Sequence, residues 1–94
     1  MLFEWDSRKE RSNIEMHGID FDTAALVFGD DYRIERFDWQ HSFEEDRYIT
    51  IGSIKGLLAV LTVVYTERGR VIRIISARRA TKREAEEYYN GYNG

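Results

Sequence analysis

The apolar residues of this 94-residue chain fall in short blocks whose spacing alternates between strand and helix periods. Leu2-Phe3-Glu4-Trp5 reads as a brief opening strand. Asp6 can cap a following helix, strongly polar, with Ile14 and Met16 as its main apolar side chains and Gly18 as a stop after His17. A shorter helix begins near Asp22, carries Ala24, Ala25, Leu26 and Phe28, and ends at Gly29-Asp30-Asp31. Tyr32 to Phe37 alternates weakly, as an edge strand would, with Arg33, Glu35 and Arg36 guarding the open edge. Asp38 to Asp46 is a loop by its polarity.

Three strands follow. Arg47 to Ile54 alternates and then turns through Lys55-Gly56. Leu57 to Thr66 is apolar on both faces, as a central strand covered on each side must be. The turn Glu67-Arg68-Gly69 leads into Arg70–Arg78, a hairpin by spacing. Thr81-Lys-Arg-Glu84 has the residue types of a capping box and opens a helix with Ala85, Tyr88, Tyr89 and Tyr92 on one stripe. The expected fold is α+β: a small antiparallel sheet of four to five strands in the order β-α-α-β-β-β-β-α, forming one domain over residues 1–94.

Charge adds a division that the hydropathy pattern does not show. Residues 1–50 hold thirteen acids and six bases, residues 51–94 eight bases and four acids, so the net charge of −3 averages an acidic half and a basic half. Either the basic half faces an anion and the acidic half a basic partner, or the two halves neutralise each other. With no cysteine, disulfides and thiolate zinc sites are excluded. The start of the chain turns charged at once, and the apolar run Leu57–Tyr65 is too short to span a bilayer, so a cytoplasmic protein is expected.

Seven basic residues and no acid lie between Arg68 and Arg83, several of them inside the strand-like stretch Arg70–Arg78. A desolvated guanidinium needs an anion or a carboxylate, and its rigid fork suits phosphate oxygens. Strict strand parity puts Arg70, Ile72, Ile74, Ser76 and Arg78 on one face and Val71, Arg73, Ile75, Ala77 and Arg79 on the other. Arg78, beside the final helix, can join that helix N-terminus in holding a phosphate. Arg73 either does the same or pairs with a carboxylate on a neighbouring element. His41 lies in the acidic loop with Glu45 and Arg47, a proton-transfer group, a carboxylate and a cation within a short span; the bland alternative is a solvated loop with ordinary ion pairs. His17 suits the negative end of the first helix dipole. No metal-ligand spacing is present.

Trp5-Asp6, Lys9, Asn13, His17-Gly18, Phe21, Ala24-Ala25 and Phe28 resemble the opening signature of BrnT-type toxins of bacterial type II toxin–antitoxin systems. So do His41-Ser42, Glu45, Arg47, Gly52, Val64 to Gly69, Ile74 to Arg78, Ala80-Thr81 and Glu84, in order and over nearly the whole chain. Met16 departs from the pattern, standing where the family usually has lysine.

The resemblance implies a RelE-like α+β fold and a metal-independent endoribonuclease, without cofactor, that inhibits translation. It implies attack of a 2′-hydroxyl on the adjacent phosphate, with His41 or Glu45 as base, Arg47, Arg73 and Arg78 as clamps, and His17 or Tyr88 as acid. It further implies a BrnA-type ribbon-helix-helix antitoxin through which alone operator DNA would be bound, and a stable hetero-complex. The alternative is a non-catalytic RNA- or protein-binding module.

Overall fold

The computed structural model describes residues 1–54 and 59–93. Its elements follow one another as β1 (Leu2–Trp5), α1 (Ser7–His17), α2 (Phe21–Ala25), a 3-10 turn (Leu26–Gly29), β2 (Ile34–Phe37), β3 (Tyr48–Ser53), β4 (Val60–Arg68), β5 (Val71–Arg79) and α3 (Lys82–Asn93). The order matches the expectation; the Lys55-Gly56 turn and Leu57 lie outside the described residues. Among the described residues no helix is long and apolar enough to cross a membrane.

The sheet order is β1-β5-β4-β3-β2. Strands β2 to β5 pair antiparallel, but β1 runs parallel to β5, with Leu2 opposite Val71 and Trp5 opposite Ile74. The sheet is therefore mixed, a correction to the antiparallel expectation, and the cause is the anchoring of α1. β1 ends at Trp5, which would leave the outer edge of β5 without partners beyond Ile74. Asn13 fills that gap: its Nδ2 donates to the Ala77 carbonyl (2.8 Å) and the Ala77 amide donates to its Oδ1 (3.0 Å), as a neighbouring strand would. The same Nδ2 donates to the Ile19 carbonyl (2.9 Å) and so closes the turn after α1. Because α1 attaches further along β5 than β1 does, the chain must travel in the direction of β5 as it passes from one to the other.

Asp6 caps α1, accepting from the amides of Arg8 and Lys9, and Gly18 ends it at a φ of 70°. The helix does not pack through Ile14 and Met16, which are exposed; its buried side chain is Asn13. An amide, not an aliphatic, is needed there because the surface it meets is an unpaired strand edge.

Strand β5 does not keep strict parity. Tyr65 pairs with Ile74 and Val64 with Ser76, so Ile75 is an extra residue, a β-bulge. Ile72, Ile74 and Ala77 consequently share one face, where they pack with Leu61, Val63, Tyr65, Phe3, Trp5 and the α2 side chains Phe21 and Ala24. Arg73, Ser76 and Arg78, opposite Thr66, Val64 and Thr62, share the other. The parity reading that separated Arg73 from Arg78 is thus corrected. On that second face α3 covers Ile51 and Val60 with Tyr88, so β4 is buried from both sides, as its composition demands.

Asn13→Ala would strand the Ala77 amide and carbonyl and the Ile19 carbonyl. It is expected to destabilise the fold by about 2–4 kcal/mol, measured by urea unfolding; a loss under about 0.5 kcal/mol would show that water replaces the amide at no penalty.

Candidate active site

Two rungs from the Ile51–Thr62 rung that α3 covers, the same sheet face carries only polar side chains. Extending the β2–β3 register by one residue sets Asp38 opposite Arg47, and the Asp38 amide donates to the Arg47 carbonyl at 2.8 Å. Extending the β3–β4 register likewise sets Arg47 beside Thr66. Thr66 pairs with Arg73, and Arg73 with Glu4. The row Asp38, Arg47, Thr66, Arg73, Glu4 therefore crosses β4, β5 and β1 and continues through the residues just outside β3 and β2.

At one end of the row, Asp38 is buried and its carboxylate meets Nδ1 of His41 at 3.0 Å. This leaves Nε2 of an exposed imidazole without a protein partner among the described residues. A carboxylate on one ring nitrogen fixes the ring orientation and favours the tautomer whose other nitrogen accepts a proton. The loop that holds the pair is itself pinned. Ser42 Oγ donates to the Asp38 carbonyl (2.6 Å) and accepts from the Arg47 amide (2.9 Å). Local sequence dictates this: an Asp followed at three and four residues by His and Ser can close a compact turn on its own backbone.

Arg47 is half-buried, and its guanidinium makes no ion pair among the described residues. It lines a small pocket with His41, Phe43, Glu44 and Glu45. Glu45 itself pairs with Arg68 at 3.3 Å, a half-exposed contact of little energetic weight. Two strand spacings away, roughly 10 Å, Arg73 uses Nη1 to reach Glu4 at 2.9 Å. One basic side chain is thus neutralised by an acid of the first half, the alternative that the charge division left open.

Arg78 lies elsewhere. It is opposite Thr62, four residues along β4 from Thr66, hence roughly 13 Å away. Its guanidinium grips Glu84 through two nitrogens, at 2.6 and 3.0 Å. Glu84 also accepts from the Thr81 amide and the Thr62 hydroxyl, and Thr81 Oγ1 accepts from the Glu84 amide, closing the capping box that the sequence shows. The Thr81 and Glu84 amides at the α3 N-terminus are therefore taken by its own side chains. The hydrogen bond from Arg78 is the largest influence on Glu84; it outweighs burial and holds the carboxyl at about 2, well below the usual range. Tyr88 sits further along the same helix, its hydroxyl donating to Asp30, remote from the row.

Residues 5–84 match the family of the ribonuclease toxin BrnT of type II toxin–antitoxin systems. The chain belongs to the BrnT family. No match was found among curated proteins. Membership of a toxin–antitoxin family implies an antitoxin partner. All members of the polar row except Glu4 fall inside the matched stretch.

Of the site residues expected for this BrnT chain, His41, Glu45 and Arg47 come together, Arg73 joins their row from across the sheet, and Arg78 does not. Asp38 and Thr66 are members that the sequence reading passed over. The Asp–His spacing of three was a usable sign for the first; for Thr66 no local sign exists, because its place depends on strand register.

Glu84 has a depressed folded-state pKa, so its stabilisation is complete above the ordinary value of 4.5 and is lost as pH falls towards about 2. Thermal unfolding of the native chain should fall more steeply across that window than that of Glu84→Gln. The variant should be less stable at neutral pH by roughly 1–3 kcal/mol; equal slopes would show that the Arg78 pair contributes nothing.

Proposed function

We propose that this BrnT chain is a metal-independent endoribonuclease in which His41 is the base. The observation that carries the reading is the His41–Asp38 pair beside an Arg47 with no carboxylate partner, on a pinned loop. His41 Nε2 takes the proton of a 2′-hydroxyl, whose oxygen forms a bond to the adjacent phosphorus. The bond from phosphorus to the 5′-oxygen breaks, that oxygen leaves with the electron pair and takes a proton from solvent, and a 2′,3′-cyclic phosphate remains. Arg47 and Arg73 supply positive charge where the phosphorane gathers negative charge. Glu45 holds Arg68 at the rim, and Arg78 steadies α3 at the margin of the same face.

Cleavage of RNA by such a chemistry inhibits translation in the cytoplasm. A BrnA-type ribbon-helix-helix antitoxin neutralises it in a stable hetero-complex and brings the pair to operator DNA. The pairing of Arg73 with Glu4 and of Arg78 with Glu84 favours a second reading, a module that binds RNA or protein without cutting it.

Digestion of single-stranded RNA separates the two. The native chain should cut in the presence of EDTA and leave cyclic-phosphate ends. His41→Ala should lose about 10²–10³-fold in kcat/KM with an unchanged fold, because the ring is exposed. Arg47→Ala should lose about 10²-fold. Undiminished cutting by His41→Ala would remove its role; RNA binding without any cutting by the native chain would establish the second reading. Co-expression with the neighbouring antitoxin should yield one co-eluting species in size exclusion, whereas two separate species would contradict the hetero-complex.

A further inference from the structure

Two buried side-chain oxygens have no hydrogen-bond partner among the described residues, the hydroxyls of Thr50 and Thr66. Both threonines are fully buried in neighbouring strands. Their surroundings differ. Thr50, opposite Val63, faces the apolar side of the sheet packed by α2. Thr66 lies in the polar row, between Arg47 and Arg73. A valine has the same shape and no polar atom to leave unsatisfied, so a buried threonine hydroxyl without a partner is unfavourable unless something else bonds to it.

We infer that Thr66 is the floor of a phosphate-binding cradle, its hydroxyl donating to a phosphodiester oxygen held by Arg47 on one side and Arg73 on the other. The inference rests on the ribonuclease reading for the identity of the ligand, an RNA backbone phosphate. Arg47 has no competing carboxylate. Arg73 gives only Nη1 to Glu4, and a guanidinium has further N–H donors for a second acceptor. Thr66 is fully buried while Arg47 and Arg73 on either side of it are half-buried, so the proposed contact needs these long side chains to turn aside and admit the anion. The cradle holds the same phosphate whose neighbouring 2′-hydroxyl His41 would deprotonate, because Asp38 and Arg47 are adjacent in the row.

The test uses 2′-O-methyl RNA, which lacks the attacking hydroxyl and cannot be cut, as the binding probe, with unfolding measured in parallel. Thr66→Val should bind this RNA about tenfold more weakly while its thermal midpoint stays equal to or above that of the native chain. Thr66→Ser should restore binding. Thr50→Val should raise or keep the midpoint and leave binding unchanged. Native affinity in Thr66→Val would overturn the inference, and so would a fall in its midpoint, since the hydroxyl would then be structurally bonded. If Thr66→Val loses affinity but His41→Ala cuts normally, the cradle stands and the assigned base falls. If the native chain binds no RNA, both fall.

Discussion

One extra residue in β5 sets the arrangement of everything around it. In a regular strand Ile74 and Ala77 point to opposite faces, yet both are buried against α2 and its neighbours. The bulge at Ile75 allows this, and the same shift brings Arg73 and Arg78 onto the opposite face. Without it, one of the two arginines would enter the apolar core, where burying a guanidinium is costly. The separation of an aliphatic face from a guanidinium-bearing face is therefore a consequence of strand register, enforced by the desolvation of charge.

That second face is divided along the strands. Near Ser53 and Val60 it is closed by α3, whose first turn is fixed by the Arg78–Glu84–Thr81 network. Near Arg47 and Thr66 it carries the polar row. Covering both halves would bury Arg47 and Arg73 with too few partners, whereas covering neither would leave β4 with an exposed apolar side. A helix that stops short of the polar row meets both requirements. It also leaves the His41–Asp38 pair at the open end of the sheet.

The acidic and basic halves resolve in a mixed way. Arg73 meets Glu4 across β1 and β5, Arg68 meets Glu45, and Arg36 of β2 meets Glu87 of α3, so acids of one half do neutralise bases of the other. Arg47, from the acidic half itself, is the row's cation without such a partner. The candidate surface therefore does not coincide with the basic cluster of residues 68–83. It is a row that runs from β1 through β5 and β4 to Arg47 and Asp38, just outside β3 and β2.

Local chemistry alone determined the element order, the Asp6 and Thr81–Glu84 caps, the Gly18 stop, and the two-sided burial of β4, because each depends on residues within a turn of one another or on a single strand's composition. His41 with Glu45 and Arg47 was legible for the same reason, being neighbours in the chain. Tertiary structure decided the parallel placement of β1, the use of Asn13 as a substitute strand, and the β5 bulge. It also brought Asp38, Thr66 and Arg73 into one row, and assigned Arg78 to Glu84 in place of an open helix end. These features depend on which backbone edge remains unpaired and which rungs align, quantities fixed by pairing between distant segments and invisible in the spacing of residues along the chain.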